Sequence, residues 1–131
     1  MRIFVFGSNK AGIHGAGAAL YAKNFYGAVT GIGEGITGDS YALPTKGFHI
    51  ETLPLFEIRH SVNRFIEVAE FWALRGAEFQ VTRVGCGLGG KKDSDIAPMF
   101  KSTPDNCLFD THWQKYLDVD GIERRYWGSF P

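Results

Sequence analysis

The chain has 131 residues, with 14 Lys+Arg balanced by 14 Asp+Glu, 44% hydrophobic and 15% aromatic residues. At this length folding buries roughly two thirds of the unfolded surface, so a single core is viable without a disulfide or a metal. A formal net charge of zero excludes long-range attraction to nucleic acid or to an anionic membrane, and any anion has to be held by local geometry.

Ile3-Phe-Val-Phe6 is a run of bulky residues closed by Gly7-Ser-Asn9, and predicts a strand buried on both faces. After a loop over residues 9–15, residues 16–25 predict a helix, with Ala18, Tyr21 and Phe25 along one side. Residues 27–38 hold five glycines and predict a mobile or ligand-approaching loop. Ser40-Tyr-Ala-Leu43 predicts a short strand ended by Pro44, followed by a turn at Thr45-Lys-Gly47. Leu55, Ile58, Val62, Phe65, Ile66, Ala69 and Trp72 recur at three- and four-residue steps, predicting a long helix stopped by Gly76. Residues 79–84 alternate like a strand and run into Gly85-Cys-Gly-Leu-Gly-Gly90, a second glycine-rich loop. Asp93 or Ser94 is the expected cap of a short helix through Phe100, and residues 106–109 are the last expected strand. Residues 110–131 form an aromatic C-terminal extension to a single domain spanning 1–131.

Alternating strands and helices predict an α/β fold with a mixed, mainly parallel sheet between helices. In such sheets ligands sit beyond the carboxyl ends of the strands. Both glycine-rich loops and Lys46 follow strands, so the three are expected to converge on one edge. Cys86 and Cys107 are too few for a disulfide scaffold and have no zinc-ligand spacing. The expected setting is the cytoplasm, with no metal and no cofactor. The first apolar run stops at Gly7, too short for a secretory signal or a membrane span.

His14-Gly15-Ala16-Gly17-Ala18 opens a helix, where unpaired N–H groups and the helix dipole favour an anion, and two glycines let a phosphate reach the backbone. The alternative is that these small residues only let the helix pack closely on the sheet. Gly85, Gly87, Gly89 and Gly90 around Cys86 and Leu88 offer a second backbone cradle. The segment lacks the third glycine of a dinucleotide fingerprint, and no Walker loop occurs. Cys86 has no base nearby in sequence and is expected to pack rather than react. Lys46, if aimed into a partly desolvated pocket, has the chemistry of a nucleophilic amine.

Together, Asn9, the His14 to Gly27 segment, Tyr41-Ala-Leu-Pro-Thr45-Lys46 and Val84-Gly-Cys-Gly-Leu88 resemble the macro domain, over about residues 3–109. The subgroup most resembled removes terminal ADP-ribose from acidic side chains and deacylates O-acetyl-ADP-ribose; short macro-like proteins of bacteria and phages are also similar. The resemblance implies a three-layer α/β/α fold and a cleft for ADP-ribose, free or carried by a protein or small molecule. It further implies that Lys46 attacks the anomeric carbon of the distal ribose. An aspartate that the subgroup carries directly after Gly-Cys-Gly-Leu is Gly89 here, with Asp93 or Asp95 as a replacement only if the loop folds back. The expectations therefore divide between an ADP-ribosyl hydrolase, a non-catalytic ADP-ribose reader or sequestering module, and an interaction protein that packs through its aromatic tail.

Overall fold

The computed structural model describes residues 1–130; Pro131, the end of the expected C-terminal extension, lies outside the described residues. Six strands, β1 (Arg2–Asn9), β2 (Gly35–Thr37), β3 (Ser40–Lys46), β4 (Glu78–Val81), β5 (Cys107–Asp110) and β6 (Arg125–Gly128), form one sheet in the order β2-β3-β1-β4-β5-β6. The β2–β3 pair is antiparallel and every other pair is parallel, giving the expected mixed, mainly parallel α/β sheet. The helices are α1 (Gly17–Phe25), α2 (Leu55–Ala73), α3 (Asp93–Ile96) and α4 (Gln114–Leu117).

Alternation along β1 sorts the layers. Ile3 and Val5 point to one face, where they join Val62, Phe65, Phe79, Phe100 and the fully buried Trp113. Phe4 and Phe6 point to the other, under Ala22 of α1. Helices thus cover both faces of the central strands, as buried parallel strands require. On α1 the buried residue is Ala22, while Tyr21 and Phe25 are exposed. Its small inward residues bring the helix close to the sheet, and Tyr26, just past its end, stacks on Phe4 at 4.7 Å.

Three sequence expectations are corrected, and the tail, whose place the sequence leaves open, is located. The strand expected to end at Pro44 continues to Lys46; β2 pairs with β3 only as far as Ala42, so Pro44 lies where that side of β3 is an edge and its missing N–H costs no ladder bond. Residues 27–38, expected to approach a ligand, do not line the cleft described below. Their glycines press backbone on backbone: a β-carbon on Gly33 would fall 2.5 Å from the Asn9 carbonyl oxygen, and the Ser8 hydroxyl donates to the Gly33 carbonyl. Asp93 and Ser94 do not cap α3; the cap position is Lys92 and no side chain fills the role. The aromatic tail is part of the sheet, since β6 pairs in parallel with β5 and Trp127 Nε1–H donates to the Val81 carbonyl at 2.9 Å.

Candidate functional site

After β1 the chain moves through α1 to β2 and β3 on one side; after β3 it crosses through α2 to β4 and continues outward on the other side. The direction of winding therefore changes between β1 and β4, the place where open α/β sheets part to admit a ligand. A cleft of about 630 Å³ opens there, beyond the carboxyl ends of β1, β3, β4 and β5. That volume falls in the roughly 300–1,000 Å³ range of small-molecule sites. Residues 15–18 of the first glycine-rich segment and 85–89 of the second both line it, with Asn9, Thr45 and Lys46 between them. Three of the expected residues, His14, Gly90 and Asp93, are not in its lining.

The two segments touch: a β-carbon on Gly17 would stand 3.0 Å from Leu88 Cδ1. Gly17 takes φ +57, the left-handed conformation in which only glycine is unstrained, and it starts α1 directly at the cleft. The cap residue Ala16 brings no side-chain acceptor. The N–H groups of Gly17, Ala18 and Ala19 accordingly have no acceptor among the described residues. The second loop is half occupied. Cys86 N–H donates to the Arg83 carbonyl (3.1 Å), Gly89 N–H to Cys86 (3.3 Å) and Gly90 N–H to Gly87 (3.0 Å), whereas Gly85, Gly87 and Leu88 donate to no carbonyl among the described residues. The expectation that the whole loop cradles a ligand thus narrows to these three amides.

Asn9 lines the cleft and holds the loop ahead of α1 in place. Its Nδ2 donates to the Ile13 carbonyl (2.8 Å) and its Oδ1 accepts the Ile13 N–H (3.0 Å), which folds the loop ahead of α1. Thr45 is buried against the second loop and its hydroxyl donates to the Ser8 carbonyl at 3.5 Å. His14 is buried and meets the Phe6 ring edge-on at 5.1 Å, with neither ring nitrogen partnered among the described residues. Lys46 is half-buried, lines the cleft and forms no ion pair among the described residues.

Cys86 is a thiol, not a thiolate. Burial first, then the neighbouring Asp93 carboxylate, push it up to about 12, which removes it as a nucleophile near neutral pH. Asp93 is the opposite case: Arg83 grips it with Nε at 2.8 Å and Nη2 at 2.6 Å, Trp113 Nε1–H adds a bond at 2.7 Å, and its carboxyl falls to about 2. It anchors the base of the second loop and does not line the cleft.

Asp110 is a cleft residue absent from the sequence expectations. It is fully buried at the carboxyl end of β5, and an acidic residue at that point of a parallel strand was the available signal. Its Oδ1 accepts the His112 backbone N–H (2.8 Å) and lies 2.9 Å from His112 Nδ1; its Oδ2 accepts from the Ser129 hydroxyl (3.0 Å) and the Phe130 N–H (3.4 Å). Ser129 Oγ also lies 3.0 Å from His112 Nδ1. Asp, His and Ser are together, yet both partners meet the same ring nitrogen, whereas a proton-relaying triad needs one on each. The cluster instead fixes Phe130 as a wall of the cleft.

Lys46 and Asp110 stand at opposite ends. From β3 to β5 is three strand spacings, roughly 14 Å at about 4.8 Å each. The bare amides lie between them. No group of three or more His, Cys, Asp or Glu side chains is placed to hold a metal ion among the described residues, and no helix there is long and apolar enough to cross a membrane.

Comparison with known proteins bears on the fold alone. Neither a family model nor a curated protein matches the chain. A solved protein of unknown function from Bacteroides thetaiotaomicron is similar, with 14% identity and a TM-score of 0.55 over 97% of this chain and 87% of that one. A second protein from the same organism gives 16% identity and a TM-score of 0.47 over 97% and 88%, too low to bear on the argument.

Proposed function

We propose that the cleft binds the diphosphate of ADP-ribose or a closely related nucleotide, free or attached to a protein or small molecule, as the macro-domain resemblance implies. The observation that carries this reading is the uncapped start of α1: among the described residues the amides of Gly17, Ala18 and Ala19 lack acceptors, as do those of Gly87 and Leu88, and all five residues line one cleft. Three charge-assisted bonds contribute roughly 5–9 kcal/mol, against about 8 kcal/mol for micromolar affinity, so an electrically balanced chain suffices. A central anion cradle with about 14 Å between its ends also suits a ligand that carries an organic group on either side of its diphosphate. Calorimetric titration with ADP-ribose tests the reading. Saturable one-to-one heat supports it, and no heat at millimolar ligand removes it.

Lys46 motivates a second, catalytic reading. Its neutral amine would attack the anomeric carbon of the distal ribose, forming a C–N bond as the C–O bond to the acyl group breaks, with the lysine proton passing to the leaving oxygen; water then reverses the attachment. Against this stand Gly89 where the resembled subgroup has an acid, an Asp93 held by Arg83, and an Asp110 roughly 14 Å away. Binding without hydrolysis is therefore the conclusion. Release of ADP-ribose from ADP-ribosylated glutamate or from O-acetyl-ADP-ribose, abolished by Lys46→Ala while binding persists, would reverse it.

A further inference from the structure

We propose that Ile50 is a specificity residue at the Lys46 end of the cleft, seating an uncharged ring carried by the diphosphate; the inference rests on the diphosphate reading above. After Lys46 the chain reverses tightly. Gly47 N–H donates to the Glu51 carbonyl (2.9 Å), Ile50 N–H to the Gly47 carbonyl (3.1 Å), and His49 N–H to the Glu51 carboxylate (3.1 Å). Lys46 and Thr52 then bridge antiparallel, and Leu53 N–H donates to the Thr45 carbonyl at 3.1 Å.

This reversal forces Ile50 to φ +64, the one positive φ at a non-glycine residue among the described residues. For a β-branched side chain that conformation is an outlier, sustained only where surrounding bonds over-determine it. The strained residue is the one that faces the ligand space: Ile50 lines the cleft and is 41% exposed. Ile13 and Leu88, also exposed, line the same cleft. A polar floor of amides thus has an aliphatic mouth.

Such a mouth gives nothing to a bare anion, whose oxygens would lose water there without gaining a donor. A sugar or base ring joined to the diphosphate has an apolar face that packs on it. The ligand class is a diphosphate ester with a ring on the Lys46 side, not a free diphosphate.

The test compares ADP-ribose with inorganic pyrophosphate on the wild type, Ile50→Asn and Ile50→Val. Asn suits a left-handed backbone, so Ile50→Asn keeps the loop while removing the apolar surface. Ile50→Asn is expected to weaken ADP-ribose about 5- to 10-fold and leave pyrophosphate unchanged, with Ile50→Val close to wild type. Unchanged ADP-ribose affinity in Ile50→Asn overturns the inference, as does an equal loss for both ligands, which would mark a loop that supports only the amides. A wild type that binds neither ligand overturns the diphosphate reading and this inference with it; one that binds both without sensitivity to Ile50 overturns this inference alone.

Discussion

Asp93→Asn probes the anchor beneath the second glycine-rich loop and isolates its charge, because the amide oxygen still accepts from Trp113. In the folded protein the Arg83 fork, aided by Trp113, lowers the Asp93 carboxyl from 3.8 to about 2. At about 1.36 kcal/mol per unit this shift corresponds to roughly 2.5 kcal/mol. Side-chain exposures of 34% for Arg83 and 20% for Asp93 admit solvent screening, which trims the expected effect to about 1–2 kcal/mol. The folded value lies below the unfolded one, so the contribution is complete above about pH 4 and is lost as pH falls through about 2. Urea unfolding of wild type and variant from about pH 6 down to about pH 2 reads it directly. The wild type should lead by about 1–2 kcal/mol near neutral pH and lose that lead between pH 4 and 2. Two curves that stay parallel through this window would refute the assignment.

Gly12 has φ +71, and a β-carbon there would stand 2.4 Å from the Gly31 carbonyl carbon; Gly12→Ala should cost more than about 2 kcal/mol in thermal unfolding, and a neutral result would overturn the close packing of Gly31 and Ile32 on the loop after β1. Cys86 and Cys107 are both pushed up to about 12, by burial first and in Cys86 also by Asp93, so neither should be alkylated by iodoacetamide in the native protein at pH 8, and fast labelling of Cys86 would contradict its raised thiol. Trp127→Phe removes the indole N–H that donates to Val81 and should lower stability by about 1 kcal/mol by urea unfolding, with no change counting against the tail as part of the sheet.

The parts of this fold that rest on pattern were readable in advance. The Ile3-Phe-Val-Phe6 run and the three- and four-residue steps from Leu55 to Trp72 each carry their burial in the sequence, and they became β1 and α2. Less legible was β6: Arg125-Tyr-Trp-Gly128 sits at a half-exposed edge, where no strict alternation is demanded. The convergence of Lys46 with both glycine-rich segments followed from the rule about strand ends, and all three do line one cleft. Sequence could not say which amides remain free, because a glycine that opens toward a ligand and one that closes a turn, such as Gly90, have the same local signature. Nor could it foresee Asp93 turning from its own helix to Arg83 and Trp113, ten residues before it and twenty after it in the chain.

Where a surface grips through its main chain, the harm done by substitution runs the other way from usual. If the cleft binds as proposed, Gly15, whose missing side chain would meet nothing within 4 Å, and Gly17 contribute by having nothing to trim. A scan that truncates neighbours to alanine would pass over them in silence, and only the gain of a single methyl would expose their part.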